Sequence, residues 1–329
     1  MAGNHTKKYK AKQRKKIMRA IFGKSLPLVM LLLILLGMGG GFLYNSNEAF
    51  RDFIDDFASD LGIFTVESQK NTFIDPEGDE MALHFIDVGQ GDCALLQTPQ
   101  GSVLIDCGEK EYGDDVVAYL DSQGIGELEY FIITHPDSDH MGSAAYVLEN
   151  VKVKNFIING KQKSAKFFES ALDVIEEKNI GHDVAIPGDK YIVGALHMEI
   201  IGPRVDDIDD LESNDSSLII YATYGSKAFL FTGDAEKEGE ELLLKYDAGR
   251  IDCDIFSAGH HGAKTSNSLA LMQAATPTYV VVSCGKDNSY GHPTAEALNN
   301  FKKVGATVYR TDELGTIVFV TDGSSLELK

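Results

Sequence analysis

From Met81 onward, short apolar runs that end in glycine or a polar turn alternate with stretches whose apolar residues recur at helical spacing. The runs "MALHFIDV", "CALLQT" and "SVLIDC" predict three strands joined by turns containing Gly or Pro. "GDDVVAYLDSQG" predicts a helix, "LEYFIITH" a buried strand, "MGSAAYVLENV" a helix, "VKNFIIN" a strand, and "SAKFFESALDVIEEKN" a longer helix. "YIVGALHMEIIGP", "SSLIIYATY" and "KAFLFTG" follow without helical periodicity and predict antiparallel strands. The last third alternates again. Helices are expected in "AEKEGEELLLKY", "SNSLALMQAA" and "TAEALNNFKKVG", and strands in "CDIFSAG", "TYVVVSC", "ATVYRT" and "GTIVFVT". No repeat of solenoid period is present, and two sheets with helices outside both faces accommodate this order.

The N-terminal part follows a different pattern. Residues 25–44, "SLPLVMLLLILLGMGGGFLY", contain no charge, and about 20 apolar residues match the hydrocarbon thickness of a bilayer. The basic stretch before them places that end on the cytoplasmic side. No Ala-x-Ala cleavage site closes the apolar segment, which predicts a retained signal anchor rather than a cleaved signal peptide. The expected organisation is a basic cytoplasmic tail (1–24), a transmembrane anchor (25–44), a stalk (45–79) and a folded domain (80–329) exposed outside the membrane. The stalk holds Phe50, Phe53, Ile54, Phe57 and Leu61 near helical spacing, which predicts a short amphipathic helix.

Charge sharpens this division. Nine of the 30 Lys and Arg lie in residues 1–24, leaving 21 against 50 acidic residues, a net −29, for the rest. Such a body repels polyanions at long range and argues against a general nucleic-acid-binding protein. The four cysteines, Cys93, Cys107, Cys253 and Cys284, form no CxxC pair, and each sits in a strand-like run, as buried small hydrophobes do. Cys93 and Cys107 flank the turn "TPQGS", an arrangement that a disulfide across a hairpin would also use.

The candidate chemistry centres on "THPDSDHMG", residues 134–142. His135 ends a predicted strand, Asp137 can point the same way in an extended segment, and Asp139 and His140 open the next helix. A mixed His and carboxylate set suits Zn²⁺, Mn²⁺ or Fe. Helix capping accounts for an Asp or Ser here, but not for both histidines. Asp106 in "VLIDCG", Asp234 in "FLFTGD", and His260 and His261 in "IFSAGHHG" also stand at strand ends, and "YGHPT" adds His292. Any one of these alone would be a turn or surface residue; several strand ends carrying ligand types suggest one shared site.

"HPDSDH" resembles the HxHxDH signature of the metallo-β-lactamase superfamily, with Asp137 in place of the second histidine. From Met81 to about Thr321 the chain is similar to the hydrolase domain of ComEC competence (DNA-uptake) proteins, through "FIDVGQGDCALLQT", "LIDCG", "NDSSLIIYATYGSKAFLFTGD", "GHHGAKTS", "SCGKDNSYGHPT" and "YRTDELGTI". The resemblance implies an αββα sandwich with two divalent metal ions, Zn or Mn, at one edge. It implies His135 and Asp137 on the first ion, Asp139 and His140 on the second, and Asp234 between them. Asp106 is then expected behind a ligand, orienting it. The superfamily's third histidine falls near Asn214, and this departure towards oxygen donors makes Mn²⁺ a competitor to Zn²⁺. His260, His261 and His292 compete for the last ligand, with His260 favoured and one of the others left for proton transfer.

The expected chemistry is hydrolysis by water activated between two ions, with Asp139 able to take the proton. Lys264 and Ser266, beside the histidine pair, are candidates for contact with a phosphate, although Lys264 is equally explained as a solvated surface lysine. Gln90 and Asp92 in "DVGQGD" are candidates for the site edge. The leading expectation is a membrane-anchored phosphodiesterase, with single-stranded DNA as one candidate substrate. The acidic body and the single apolar span weigh against DNA uptake by this chain alone. A surface hydrolase of lactones, thioesters or small phosphodiesters is the alternative, and a non-catalytic binding module the least favoured.

Overall fold

The computed structural model describes Phe73, Ile74, Pro76 and residues 78–329. The expected tail and anchor, and nearly all of the stalk, lie outside the described residues. Among the described residues no helix is long and apolar enough to cross a membrane.

The described residues form two sheets. The first has the order β15-β14-β1-β2-β3-β4-β5-β6, built from β1 (Met81–Phe85), β2 (Ala94–Thr98), β3 (Gly101–Ile105), β4 (Glu127–Ile132), β5 (Lys152–Ile158), β6 (Gly181–Val184), β14 (Ile317–Thr321) and β15 (Leu326–Leu328). The second has the order β13-β12-β11-β10-β9-β8-β7, built from β7 (Lys190–Val193), β8 (Leu196–Gly202), β9 (Ile219–Tyr224), β10 (Lys227–Phe231), β11 (Ile255–Ser257), β12 (Tyr279–Val282) and β13 (Thr307–Arg310). The expected run "YIVGALHMEIIGP" is two strands, β7 and β8, paired antiparallel and turned at Gly194, which has φ +59°.

Residues alternate between two apolar environments along the strands. Leu83, Phe85, Leu96, Val103 and Ile105 of the first sheet meet Ile220, Ala222, Phe229 and Phe231 of the second in one core. Phe85 and Phe231 stack with ring centroids 6.2 Å apart. The other face of the first sheet packs Leu95, Leu104 and Phe131 against helices Gly113–Ser122, Ala144–Asn150 and Lys166–Lys178. The other face of the second packs Leu230, Phe256 and Val280 against Lys237–Asp247, Leu269–Ala275 and Ala295–Val304. Central strands buried on both sides explain why β1, β2 and β3 read as nearly continuous apolar runs. Each fully buried Leu or Phe contributes about 2 kcal/mol. The layers are helix, sheet, sheet, helix.

One feature of the topology positions the site. In the first sheet β3 pairs antiparallel with β2 and parallel with β4; in the second, β10 pairs antiparallel with β9 and parallel with β11. Each sheet therefore changes from antiparallel to parallel at one strand. The crevice beyond the carboxyl ends of strands at such a point is where open sheets place ligands. Asp106 directly follows β3, and Asp234 lies three residues beyond the end of β10.

Candidate metal centre

The residue after β3, Asp106, has φ 58°, a left-handed conformation that Asp tolerates better than most residues. This turn aims its carboxylate across to the neighbouring parallel strand. Oδ1 accepts the backbone N–H of Thr134 at 2.8 Å, and Oδ2 accepts the Thr134 hydroxyl at 2.8 Å. Oδ2 also lies 2.8 Å from His140 Nδ1, which fixes the ring and turns Nε2 towards Asp234. His140 Nε2 and Asp234 Oδ1 are 3.1 Å apart. His135 is held from behind, its Nδ1 being 3.2 Å from both the Thr134 and Ser217 hydroxyls.

Asp139 and His140 ride on the short helix Ser138–Met141. Asp137 occupies its N-cap position, but its side chain makes no capping bond. Gly91 lets the loop after β1 approach this helix: a Cβ there would lie 2.4 Å from the Asp139 carbonyl oxygen. On the opposite sheet Gly233 has φ +51°, and a Cβ would lie 2.9 Å from the hydroxyl oxygens of Ser217 and Thr134. The next residue, Asp234, donates its N–H to Ser217 Oγ at 3.0 Å.

After β11 the chain makes the tight turn Gly259–Gly262, in which His260 and His261 both have positive φ, 49° and 55°. Non-glycine residues in this region cost about 1–3 kcal/mol each. Asn267 offsets part of that cost, accepting the Gly259 N–H at 2.9 Å and donating to its carbonyl at 2.8 Å. The turn sends the two imidazoles in different directions. His261 is buried, with Nε2 3.2 Å from Asp139 Oδ2 and 3.7 Å from Asp234 Oδ2. Its Nδ1 lies 3.0 Å from the Ser283 carbonyl and 3.2 Å from Asp92 Oδ1. His260 is partly exposed, with Nδ1 3.0 Å from Glu236 and Nε2 3.7 Å from Asp234.

Four donors converge as a result. One ligand atom from each of Asp139, His140, Asp234 and His261 lies within 4.8 Å of the other three. His135 Nε2 is buried with no hydrogen-bond partner, and His140 Nε2 and Asp234 Oδ1, buried 3.1 Å apart, face each other without a well-directed bond and have no other partner. An unsatisfied buried polar atom costs about 1–3 kcal/mol, and three ligand-type atoms left so together fit coordination of a cation. The electrostatics agree. Burial lowers His140 and His261, yet the Asp234 carboxylate, with Asp106 behind one ring and Asp139 and Asp92 beside the other, holds both well above the ordinary imidazole value. Burial raises Asp139, but its bond to His261 and the charge of His140 outweigh that and bring it to about 2. Burial, then the charge on His140, pushes His135 down to about 4.

The other sequence candidates fall in several places. Asp137 is drawn to Lys163 and Ser213 and stands outside the convergent four. His261, not the favoured His260, belongs to that set: both imidazoles lie 3.7 Å from Asp234 Oδ2, but only the buried second one also reaches Asp139, while the first turns its Nδ1 to Glu236. Asn214 directs its amide at Glu236, 3.4 Å away. His292 lines the cleft with its Nδ1 buried and unbonded; burial, then its histidine neighbours, brings it down to about 4. Gln90 accepts the Gly285 N–H at 3.1 Å and ties the site edge to the loop after β12. Ser266 is buried and donates to the Ala235 carbonyl at 2.9 Å, so it is a turn support rather than a phosphate contact. Lys264 is exposed and does not line the cleft. Lys264→Ala is expected to change kcat/KM by no more than about twofold, as solvated surface positions do; steady-state kinetics on both proteins checks it. All four cysteines are buried and free, so Cys93 and Cys107 act as core side chains.

Thr134 and Ser217, which orient His135, were not singled out from the sequence; Ser217 lies two residues before β9 in "NDSSLII", the only signal that it carried. The site opens into a cleft of about 520 Å³ lined in part by Tyr112, Lys163, Phe167 and Tyr290. Of these four only Tyr290, in "YGHPT", lies in a quoted motif, and it was not singled out there.

The two-sheet architecture and the convergent donors at its edge are those of a known hydrolase fold, and a family model, "Metallo-beta-lactamase superfamily", matches residues 86–286. The chain belongs to the metallo-β-lactamase superfamily. As in others of this fold, divalent metal ions and hydrolysis are implied, and the convergent donors form a candidate site for such ions. The expected likeness to ComEC-type competence proteins is found as well. The chain is 32% identical to ComE operon protein 3 of Bacillus subtilis over 73% of its own length and 33% of that protein. It is 29% identical to competence protein ComA of Neisseria gonorrhoeae over 73% of the chain and 32% of that protein. It thus spans about a third of the curated relatives that it matches. Among solved structures, the metallo-beta-lactamase fold protein YhfI from Bacillus subtilis aligns with TM-score 0.50 and 14% identity, covering 74% of this chain and all of that one, a likeness of fold.

Proposed function

We propose that this metal-dependent hydrolase is a two-ion phosphodiesterase whose substrate carries an aromatic or heterocyclic group beside the scissile ester. The observation that carries this reading is the position of the convergent donors on the floor of a cleft with aromatic walls. Asp139, Asp234 and His261 face into it, and Tyr112, Phe167 and Tyr290 line it. Stacking on such rings suits nucleobases regardless of sequence. Among the described residues that line the cleft, five carboxylates (Glu109, Glu111, Asp137, Asp139 and Asp234) stand with one lysine, Lys163, and no arginine. A phosphodiester therefore depends on bound ions to offset that charge, and a long polyanion gains little from the protein surface itself.

A divalent ion at the donor cluster supplies Lewis acidity, polarising the ester and lowering the pKa of water at the site. The chain's own groups do the rest. Asp106 holds His140 in one tautomer, and Thr134 and Ser217 set the His135 ring. Asp139, with 27% of its side chain exposed against 3% for Asp234, is the carboxylate that reaches cleft water and accepts its proton. His260 lines the same cleft, its Nε2 3.7 Å from Asp234, and is the group proposed to protonate the departing oxygen. The mixed oxygen and imidazole donors favour Mn²⁺ alongside Zn²⁺. The uncharged segment 25–44 behind a basic stretch supports a single-pass anchor that holds the domain outside the membrane. The likeness to competence proteins makes single-stranded DNA the first nucleic acid to test.

The test compares bis-p-nitrophenyl phosphate, a single-stranded oligonucleotide and a neutral p-nitrophenyl ester, each with Mn²⁺ or Zn²⁺. Cleavage of the phosphodiesters is expected, falling by about 10²–10³-fold or more in Asp139→Ala. Turnover of the neutral ester alone sinks the phosphodiesterase reading and leaves a carbonyl hydrolase, for which the acidic cleft is no obstacle.

A further inference from the structure

The two halves of the donor set are unequal. The half built on Asp139 and His140 adds His261 and shares Asp234, so that two imidazoles and two carboxylates lie within 4.8 Å. The half built on His135 and Asp137 is incomplete. His135 Nε2 is buried and unbonded, ready to ligate. Asn214, where a further imidazole is expected, turns its amide towards Glu236 and His260, at 3.4 and 3.5 Å. Asp137 is already engaged: its Oδ1 accepts Lys163 Nζ at 2.7 Å and the Ser213 hydroxyl. Lys163 arrives from elsewhere in the chain, on the loop between β5 and helix Lys166–Lys178, and both partners are partly shielded from solvent.

We propose that Lys163 is a tethered counter-ion for Asp137 that competes with a metal ion for that carboxylate and so makes the ion on the His135 side the weaker of the two. The inference rests on the two-ion reading above. Both contacts fall on Oδ1, and an ammonium 2.7 Å away offsets part of the carboxylate's charge whichever oxygen an ion takes, so an ion arriving at His135 meets a weakened ligand and has to compete with Lys163 for its charge. To the extent that the ion wins, Lys163, the one lysine among the described cleft-lining residues, is free to meet an anionic oxygen of the substrate. A partly buried ion pair of this kind corresponds to on the order of a tenfold change in a competing equilibrium.

The experiment reads metal binding directly, without substrate. The full chain is stripped with a chelator and titrated calorimetrically with Mn²⁺, and manganese EPR distinguishes lone from paired ions. The wild-type chain is expected to bind two ions whose dissociation constants differ at least about tenfold, with the paired signal emerging only as the second ion fills. Lys163→Met, similar in length and uncharged, is expected to narrow that gap about tenfold, and Lys163→Arg to preserve it. Two ions with an unchanged ratio in Lys163→Met overturn the role of Lys163 while leaving the two-ion site standing. A single ion in both the wild type and Lys163→Met overturns the two-ion reading and this inference with it.

Discussion

Replacing Asp234 with Asn is expected to lower kcat/KM by about 10³-fold or more and to strip most bound metal, while the far-ultraviolet spectrum of the folded chain is retained. Asn preserves the volume and the backbone bond to Ser217, so the change removes charge rather than packing. Asp234 is the carboxylate common to the whole set: His140 lies against its Oδ1, and His260 and His261 lie against its Oδ2. Burial would raise its pKa, yet His140 and His261 hold it well below the ordinary carboxylate value. The charge is therefore built into the site, and removing it leaves imidazoles arranged around a neutral amide. Metal analysis together with steady-state kinetics checks this. An Asp234→Asn protein with full metal content and near-normal turnover would mean that the donors converge for another reason.

The second large effect is expected at Asp106, which lies behind the donors that face the cleft. Its Oδ2 fixes His140, and its loss is expected to cost about 10–100-fold in metal affinity. Two substitutions separate charge from backbone. Asn adopts the left-handed conformation at φ 58° readily and can still accept the Thr134 N–H, so Asp106→Asn should lose metal affinity with little loss of stability. Asp106→Ala adds backbone strain and leaves the Thr134 N–H without its partner, so its thermal midpoint should also fall. Equal metal affinity in wild type and Asp106→Asn, measured by competition with a chelator, would show that His140 holds its orientation without this carboxylate.

The layers were legible in the chain because their cause is local. Alternation along strands and helical periodicity report which faces are apolar, and the runs quoted above become strands and helices at nearly the expected positions. The edge strands β6 and β15 were not foreseen: β6, "GHDV", is exposed throughout and carries no apolar alternation, and β15, "LEL", alternates over only three residues, one of them partly buried. Within the site, Asp106, His135 and Asp234 stood out because each follows or closes a strand-like run, and Asp139 and His140 because they open the helix just beyond one. Such a position carries information about direction, since a strand end at the carboxyl edge of a sheet points into the crevice.

The sequence by itself determined the two-sheet class, the loops that carry ligands and the residue types suited to a divalent cation. Tertiary structure alone decided which of two neighbouring residues joins the convergent donors. His260 and His261 are identical side chains one position apart, and the left-handed turn held by Asn267 sends the second towards Asp139 and Asp234. Lys264 lies beside the histidines in sequence yet faces solvent, while Lys163, about a hundred residues away, reaches Asp137. Asp137 has the spacing of a ligand, and that distant lysine draws it aside. The physical reason is common to all three cases. Periodicity reports burial, which depends on near neighbours along the chain, whereas coordination depends on where two sheets bring distant loops together.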